Sequence, residues 1–326
     1  MKICIFGAGA IGGFLGTRLA ATGREVAAIA RGATAAALRK HGWRLETEGK
    51  LLSVPARVAE SPAELGIQDL LVIAVKGPAL SAVAATVAPL IGPDTTVITA
   101  MNGVPWWFFQ GFGGRYKGMQ LRSIDPQGRI DAAIPSRHVV GCVVHAGCMT
   151  PEPGLTRNMM GRRLVLGEPR VGESSRLTDF AALFRDAGFD VELSHCIQRD
   201  IWYKLWGNMT MNPVSALTGA TADRVLDDPL VNGFCLAVMR EAAAIGARIG
   251  CDIAESAEQR NLVTRKLGAF KTSMLQDVEA GRPVEIDGLL SAPREIGAAV
   301  GEPTPYLDAL LGLARLQAQT RGLYPR

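Results

Sequence analysis

The chain opens by alternating short, almost wholly apolar runs with stretches of helical periodicity. The runs "KICIF" (2–6), "EVAAIA" (25–30), "LLVIAV" (70–75) and "TVITAM" (96–101) have the length and apolar continuity of strands buried on both faces. Helical patterns separate them at 11–22, 33–41, 62–66 and 78–90. Such βαβα alternation predicts a parallel, doubly wound α/β sheet. Further strands are expected at 138–147, 162–168 and 190–195, with a helix at 175–187 before the last. Beyond Gln198 the strand signal stops, and helical patterns cover 199–212, 222–249, 254–280, 285–300 and 305–319. The expected division is an α/β domain over 1–195 and an all-α domain over 196–326, with the boundary near residue 196.

One helical stretch breaks its own pattern. In "IWYKLWGNMTMNP" (201–213), Lys204, Asn208 and Asn212 recur every four residues and form one narrow polar stripe. Ile201, Trp202, Tyr203, Leu205, Trp206, Met209 and Met211 surround it. A helix apolar on most faces is normally buried, and a buried ammonium without partners is costly. The bland reading lays the lysine stem on apolar surface with its amine in water. The chemical reading keeps the ammonium in a dry site, where it stabilises a developing oxyanion and supplies it with a proton. Two neutral amides one and two turns along can bind a substrate without cancelling that charge. Pro213 is expected to end or kink the helix just after the stripe.

The front of the chain carries a second constellation. Gly7, Ala8, Gly9, Ala10, Ile11 and Gly12 form a G-x-G-x-x-G turn that follows a strand and opens a helix, the context in which it binds a dinucleotide pyrophosphate. Near the end of the second strand an NAD-binding chain carries an acid; here Arg31 stands there, which suits the extra 2′-phosphate of NADP. Lys76 and the pair Asn102-Gly103 end two further strands, on the sheet edge where ligands bind in such folds. His145 ends another expected strand, where packing is the simpler role.

Composition narrows the partners. Hydrophobic residues make up 48% and charged residues 20% of 326, as in a folded globular chain. The formal charge of +4 comes from 35 basic and 31 acidic residues without a dense basic block, which argues against nucleic acid or a membrane surface and allows a small anionic ligand. Cys4, Cys142, Cys148, Cys196, Cys235 and Cys251 contain no CxxC pair and read as reduced, mostly buried thiols. With four histidines lacking ligand spacing, no metal is expected. The first strand leaves no room for a signal peptide, and no uninterrupted apolar run looks long enough to span a bilayer, so a cytoplasmic protein is expected. A homodimer is left open.

Taken in order, the glycine turn, Arg31, "VKG", "NG", "KLWGNMTMNP" and "TSMLQD…EID" resemble the ketopantoate reductase family (2-dehydropantoate 2-reductase) over nearly the whole chain. The resemblance implies an N-terminal Rossmann domain, a helical C-terminal domain and an active-site cleft between them. It implies NADPH-dependent reduction of a small anionic 2-oxo acid to a 2-hydroxy acid, in pantothenate synthesis. By position, Lys204 is then the proton donor, with Asn208, Asn212, Ser273 and Asn102 binding substrate. Lys76, Asn102, Gly147 and Glu285 join the glycine turn and Arg31 on the cofactor side. Two features depart from the family pattern. "VPWWFFQGFGGRYKG" (104–118) is an aromatic and glycine-rich insertion, and Ala222 stands where compact members carry another substrate-binding asparagine. Trp106, Trp107, Phe108 and Phe109 could wall a substrate pocket or fill a subunit interface. The residues by themselves leave two other readings: an NADP-binding sensor without catalysis, and an opine-type or other hydroxy-acid dehydrogenase.

Overall fold

A single sheet organises the first part of the chain. In chain order its elements are β1 (Ile3–Phe6), α1 (Ala10–Ala21), β2 (Val26–Ile29), α2 (Gly32–His41), β3 (Trp43–Thr47), β4 (Lys50–Val54) and β5 (Arg57–Ala59). They continue with β6 (Leu70–Ile73), α3 (Leu80–Ala84), β7 (Thr96–Thr99), α4 (Arg129–Ala133), β8 (Val139–Glu152), β9 (Leu155–Gly167), α5 (Ser175–Asp186) and β10 (Asp190–Leu193). The computed structural model describes residues 1–325. The strand order is β4-β3-β9-β8-β7-β6-β1-β2-β5, with β10 joined to β9. Every residue of β1, β2, β6 and β7 is buried, as continuous apolar runs require.

The register sets where ligands can bind. Phe6, Ile29, Ile73 and Thr99 lie in one row across four parallel strands. β2 lies on one side of β1 and β6 on the other, so the chain reverses its direction of travel at the β1–β6 junction. Ligands of open α/β sheets sit beyond the carboxyl ends of the strands at such a switch point.

The sheet is mixed rather than wholly parallel, because β3–β4 and β8–β9 pair antiparallel. β3, β4 and β5 were not expected from the sequence. β3 alternates buried and half-buried positions, β4 has no buried position and β5 is three residues long, so none shows the long apolar run that marks a central strand. β8 and β9 are longer than the runs 138–147 and 162–168, since their far ends form a ribbon with polar, partly exposed positions. That ribbon, with β3 and β4, packs on α1. The small residues of α1 permit the approach: a Cβ on Gly13 would stand 2.1 Å from Thr156 Oγ1, and one on Gly16 2.6 Å from the Trp43 ring. The helix expected at 62–66 is only a 3₁₀ turn (Pro62–Glu64), and that at 78–90 is split around α3. None of the six cysteines forms a disulfide among the described residues, and burial pushes the Cys4 and Cys235 thiols up to about 12, which keeps them protonated and unreactive at neutral pH.

The helical unit comprises α6 (Ile197–Thr218), α7 (Ala222–Asp227), α8 (Pro229–Ile249), α9 (Ala257–Arg265), α10 (Ser273–Glu279), α11 (Ala292–Val300) and α12 (Pro305–Thr320). By contacts, the first unit is Met1–Met101 with Gly128–Ile197, and the second is Asn102–Gln127 with Gln198–Arg326. The segment 102–127, read from sequence as part of the first domain, therefore folds with the helices. α6 does not end at Pro213, one of the two outcomes expected there, but continues to Thr218. Val214, Ser215 and Ala216 beyond it are buried, and that burial outweighs one missing backbone donor. The span 222–249 divides at Asp228-Pro229, whose aspartate caps α8 by accepting from the Leu230 and Val231 N–H groups at 2.9 and 3.0 Å.

One helix, α8, has the length and hydropathy of a membrane span, with 21 residues and a mean hydropathy of 1.4 over its most apolar 18, but Asn232, Arg240 and Glu241 interrupt its apolar run. Its Cys235, Val238, Met239, Ala242, Ile245 and Ile249 form the buried stripe of a core helix, and Glu241 accepts from the first N–H groups of α12.

The aromatic insertion fills the interior of the helical unit. Trp106, Trp107, Phe108 and Phe109 are 3%, 1%, 0% and 0% exposed. The Phe108 ring packs edge-on against Phe109 and Phe112 at 5.0 and 5.8 Å and meets Trp202 of α6 at 6.2 Å. Its carbonyl accepts from Gln198 Nε2 at 3.2 Å. They are core residues, neither of the two roles left open by the sequence. Phe108→Ala is accordingly expected to cost about 3–5 kcal/mol of unfolding free energy, read by urea denaturation. A loss under about 1 kcal/mol would contradict this placement.

Candidate active site

The glycine turn sits at the switch point. Gly7 adopts φ +97°, a left-handed conformation, and its N–H donates to Ile29 O at 3.1 Å. A Cβ there would stand 2.7 Å from Val75 Cγ1, just beyond β6. Gly12 is closed off too, since a Cβ would fall 1.9 Å from the Gly7 carbonyl oxygen. Gly9 differs: it is exposed, begins α1, and a Cβ would meet nothing within 4 Å. No side chain caps α1 and no acid lies in its first turn. The first intrahelical donor is Gly13 N, bonded to Gly9 O at 2.7 Å, so the N–H groups of Ala10, Ile11 and Gly12 precede the helix's own hydrogen-bond ladder. This open, positively polarised end fits a phosphate. Ala8 is buried beneath it.

Arg31 follows β2, starts α2 and is exposed, with no ion pair to its guanidinium among the described residues. Lys76 begins the turn after β6 and is half-buried. Gly7, Arg31 and Lys76 thus share one edge of the sheet. His145 and Gly147 lie within β8 rather than at its end, at a register shift opposite Met160 and well past the Thr99–Gly141 pair. β8 continues because the ribbon supplies a partner strand.

In the second unit α6 presents its stripe as expected. Lys204 is half-buried, and its Nζ donates to Asn102 Oδ1 at 2.9 Å. Asn208 is half-buried and Asn212 only 7% exposed, yet neither side-chain amide has a hydrogen-bond partner among the described residues. Neither amide is sealed from solvent, so a polar ligand can reach and complete it. The apolar faces of α6 are anchored separately: Trp202 Nε1 donates to Ala242 O at 3.2 Å and Trp206 Nε1 to Met239 O at 2.6 Å.

Ser273 is exposed at the first position of α10, where Thr272, not Ser273, accepts the capping bond from Leu275 N. Its hydroxyl forms no hydrogen bond to the stripe. Glu285 is half-buried in the segment before a one-turn π-helix (Asp287–Ser291). Ala222 is buried at the start of α7, its N–H donating to Phe270 O.

The sequence missed how Asn102 is held. Gly103 takes φ +81°, and a Cβ on it would stand 2.6 Å from the Gly288 carbonyl carbon and oxygen. Val104 N donates to Gly288 O at 2.9 Å. The backbone after Asn102 therefore lies directly on the π-turn. A glycine inside the helical pattern of 285–300 was the available signal.

Comparison with known proteins follows the same division. Residues 3–170 match the family profile described as Ketopantoate reductase PanE/ApbA, and 196–318 match its C-terminal counterpart. The 2-dehydropantoate 2-reductase of Mesorhizobium japonicum is 43% identical over 325 residues, which cover 99% of this chain and 100% of that one. A crystal structure of a candidate ketopantoate reductase from Ralstonia solanacearum MolK2 superposes with a TM-score of 0.96 at 61% identity, covering 99% of each chain. The 2-dehydropantoate 2-reductase of Geobacter metallireducens GS-15, at 24% identity and TM-score 0.85 over 97% of this chain and all of that one, shares the fold.

The glycine geometry separates two substitutions. Gly12→Ala is expected to destabilise the protein by about 1–3 kcal/mol or more, because backbone must move. Gly9→Ala is expected to keep the wild-type melting temperature and weaken dinucleotide binding, measured by fluorescence titration. Equal melting temperatures for the two variants would refute the assignment.

Proposed function

Because the chain belongs to the ketopantoate reductase family, we propose that it reduces 2-dehydropantoate to pantoate, with NADPH as the reductant and Lys204 as general acid. When bound, the nicotinamide dinucleotide supplies the hydride that reduces the carbonyl carbon of the 2-oxo acid. Gly7, Gly9, Gly12 and the first turn of α1 would hold its pyrophosphate. Arg31, exposed and without an ion pair among the described residues, would take the 2′-phosphate through charge-assisted hydrogen bonds. Lys76, Asn102, Gly147 and Glu285 complete the cofactor side of the reading.

The rest of the chemistry belongs to the stripe on α6. As the carbonyl carbon is reduced, its oxygen gains negative charge. The Lys204 ammonium stabilises that charge and delivers a proton to the oxygen, leaving an amine that is reprotonated from solvent. The observation that carries the proposal is that Lys204 Nζ, on the polar stripe, donates to a neutral amide oxygen, Asn102 Oδ1, at 2.9 Å. Asn208 and Asn212 offer unpartnered amides to the substrate, and Ser273 a hydroxyl. A protein that only sensed NADP would have no use for unsatisfied amides beside a half-buried lysine.

Two measurements test this. Lys204→Ala is expected to lower kcat with 2-dehydropantoate by about 10²–10⁴-fold while NADPH affinity stays nearly unchanged; a folded variant with near-normal kcat removes Lys204 from the mechanism. Wild type is expected to prefer NADPH to NADH in kcat/KM. Arg31→Ala is expected to cut that preference about tenfold or more, the worth of one hydrogen bond to a charged group. An unchanged ratio removes Arg31 from the cofactor site.

A further inference from the structure

Leu323 and Tyr324, beyond α12, are tied to the segment on which the Asn102 loop rests. Tyr324 donates its hydroxyl to Asp287 Oδ1 at 2.6 Å, and Ser291 Oγ donates to the same oxygen at 3.1 Å. Asp287 and Ser291 are the first and last residues of the π-turn, so this carboxylate spans it like a staple. Leu323 is buried, and its carbonyl accepts from Val284 N at 3.2 Å, while its N–H donates to Ala318 O of α12 at 2.8 Å. The C-terminus thereby fixes both ends of the segment 284–291, which includes Glu285. Burial and the adjacent Asp287 push the Tyr324 phenol well above its usual range, so it stays a donor at any working pH.

The π-turn in turn supports Asn102. Gly288 O accepts from Val104 N, and the place a Gly288 Cβ would occupy lies 3.4 Å from Gly103 Cα and 3.5 Å from the Asn102 carbonyl oxygen. Asn102 Oδ1 receives the Lys204 ammonium. One-turn π-helices are uncommon and concentrate at functional sites; this one gives Gly288 its approach to the loop.

We propose that Tyr324 and Asp287 are positioning residues for the reduction: through the π-turn they set Asn102 against Lys204. The inference rests on the assignment of Lys204 as general acid. Neither residue touches the lysine, so their removal acts on geometry alone, and small misplacements of a reacting group are expensive in rate.

The test is steady-state kinetics with 2-dehydropantoate and NADPH, together with NADPH titration and thermal melting. Tyr324→Phe removes only the hydroxyl and is expected to lower kcat about tenfold, with the NADPH dissociation constant and melting temperature close to wild type. Asp287→Ala is expected to match it, whereas Asp287→Asn keeps an acceptor oxygen and restores most of kcat. The double variant Tyr324→Phe/Asp287→Ala is expected to be no slower than the worse single variant, as for residues in one chain of contacts. Tyr324→Phe with kcat within about twofold of wild type overturns the proposal, as does Asp287→Asn failing alongside Asp287→Ala, or losses that multiply in the double variant. If Asp287→Ala does not fold, Tyr324→Phe against Asp287→Asn decides alone. Lys204→Ala measured in parallel separates the two layers. Its loss of kcat beside a normal Tyr324→Phe overturns the positioning role only, and its near-normal kcat overturns the general acid.

Discussion

An ammonium on an otherwise apolar helix must find an acceptor, and much of the helical unit can be understood as meeting that need for Lys204. Its Nζ reaches Asn102 Oδ1 at 2.9 Å, across 102 positions of sequence. An amide oxygen satisfies one donor of the ammonium without taking its charge. On the proposed mechanism the positive charge of the ammonium is then offered to an anionic substrate. Every element that fixes Asn102 is therefore also a support for the lysine.

Close backbone approach is how both units achieve such fixing. In the first unit, Gly12 lies against the Gly7 carbonyl and Gly7 against the end of β6. In the second, Gly103 lies against Gly288, with the Val104–Gly288 hydrogen bond beside it. Both are contacts of main chain on main chain, which a Cβ would break. Backbone has no rotamers to lose, so a group placed this way is held more tightly than one placed by long side chains. The first arrangement leaves helix N–H groups facing open space for a phosphate; the second delivers one amide oxygen to one ammonium.

Much of this was legible in the sequence, for reasons that differ by residue. β1, β2, β6 and β7 declared themselves as apolar runs, and the glycine turn by its position between a strand and a helix. Lys204, Asn208 and Asn212 stood out because four-residue spacing on a helix is a spatial statement. Arg31 was visible because the second strand of such a sheet has a known end. The strands β3–β5 were hidden, since half-buried alternation over five residues is weak beside loop signals. Pro213 does not end the helix because its local cost is overridden by burial on both sides. The partner of Lys204 could not be read at all: contact between residues 102 and 204 depends on a turn whose conformation is set by Gly288, far along the chain.

The aromatic insertion shows why that long-range contact can be dependable. It begins where the Asn102 loop ends, with Val104 buried on the π-turn and Trp106–Phe109 sunk in the core. Phe108 then meets Trp202, two residues before Lys204, and its carbonyl takes the Gln198 amide near the start of α6. The loop and the helix are thus joined twice, once through the polar pair and once through a dry aromatic contact. Hydrophobic burial carries no charge and tolerates no water, so it holds the two chain segments together whatever occupies the polar pair. The insertion departs from the compact family pattern in sequence, but its weight falls on the scaffold beneath the stripe.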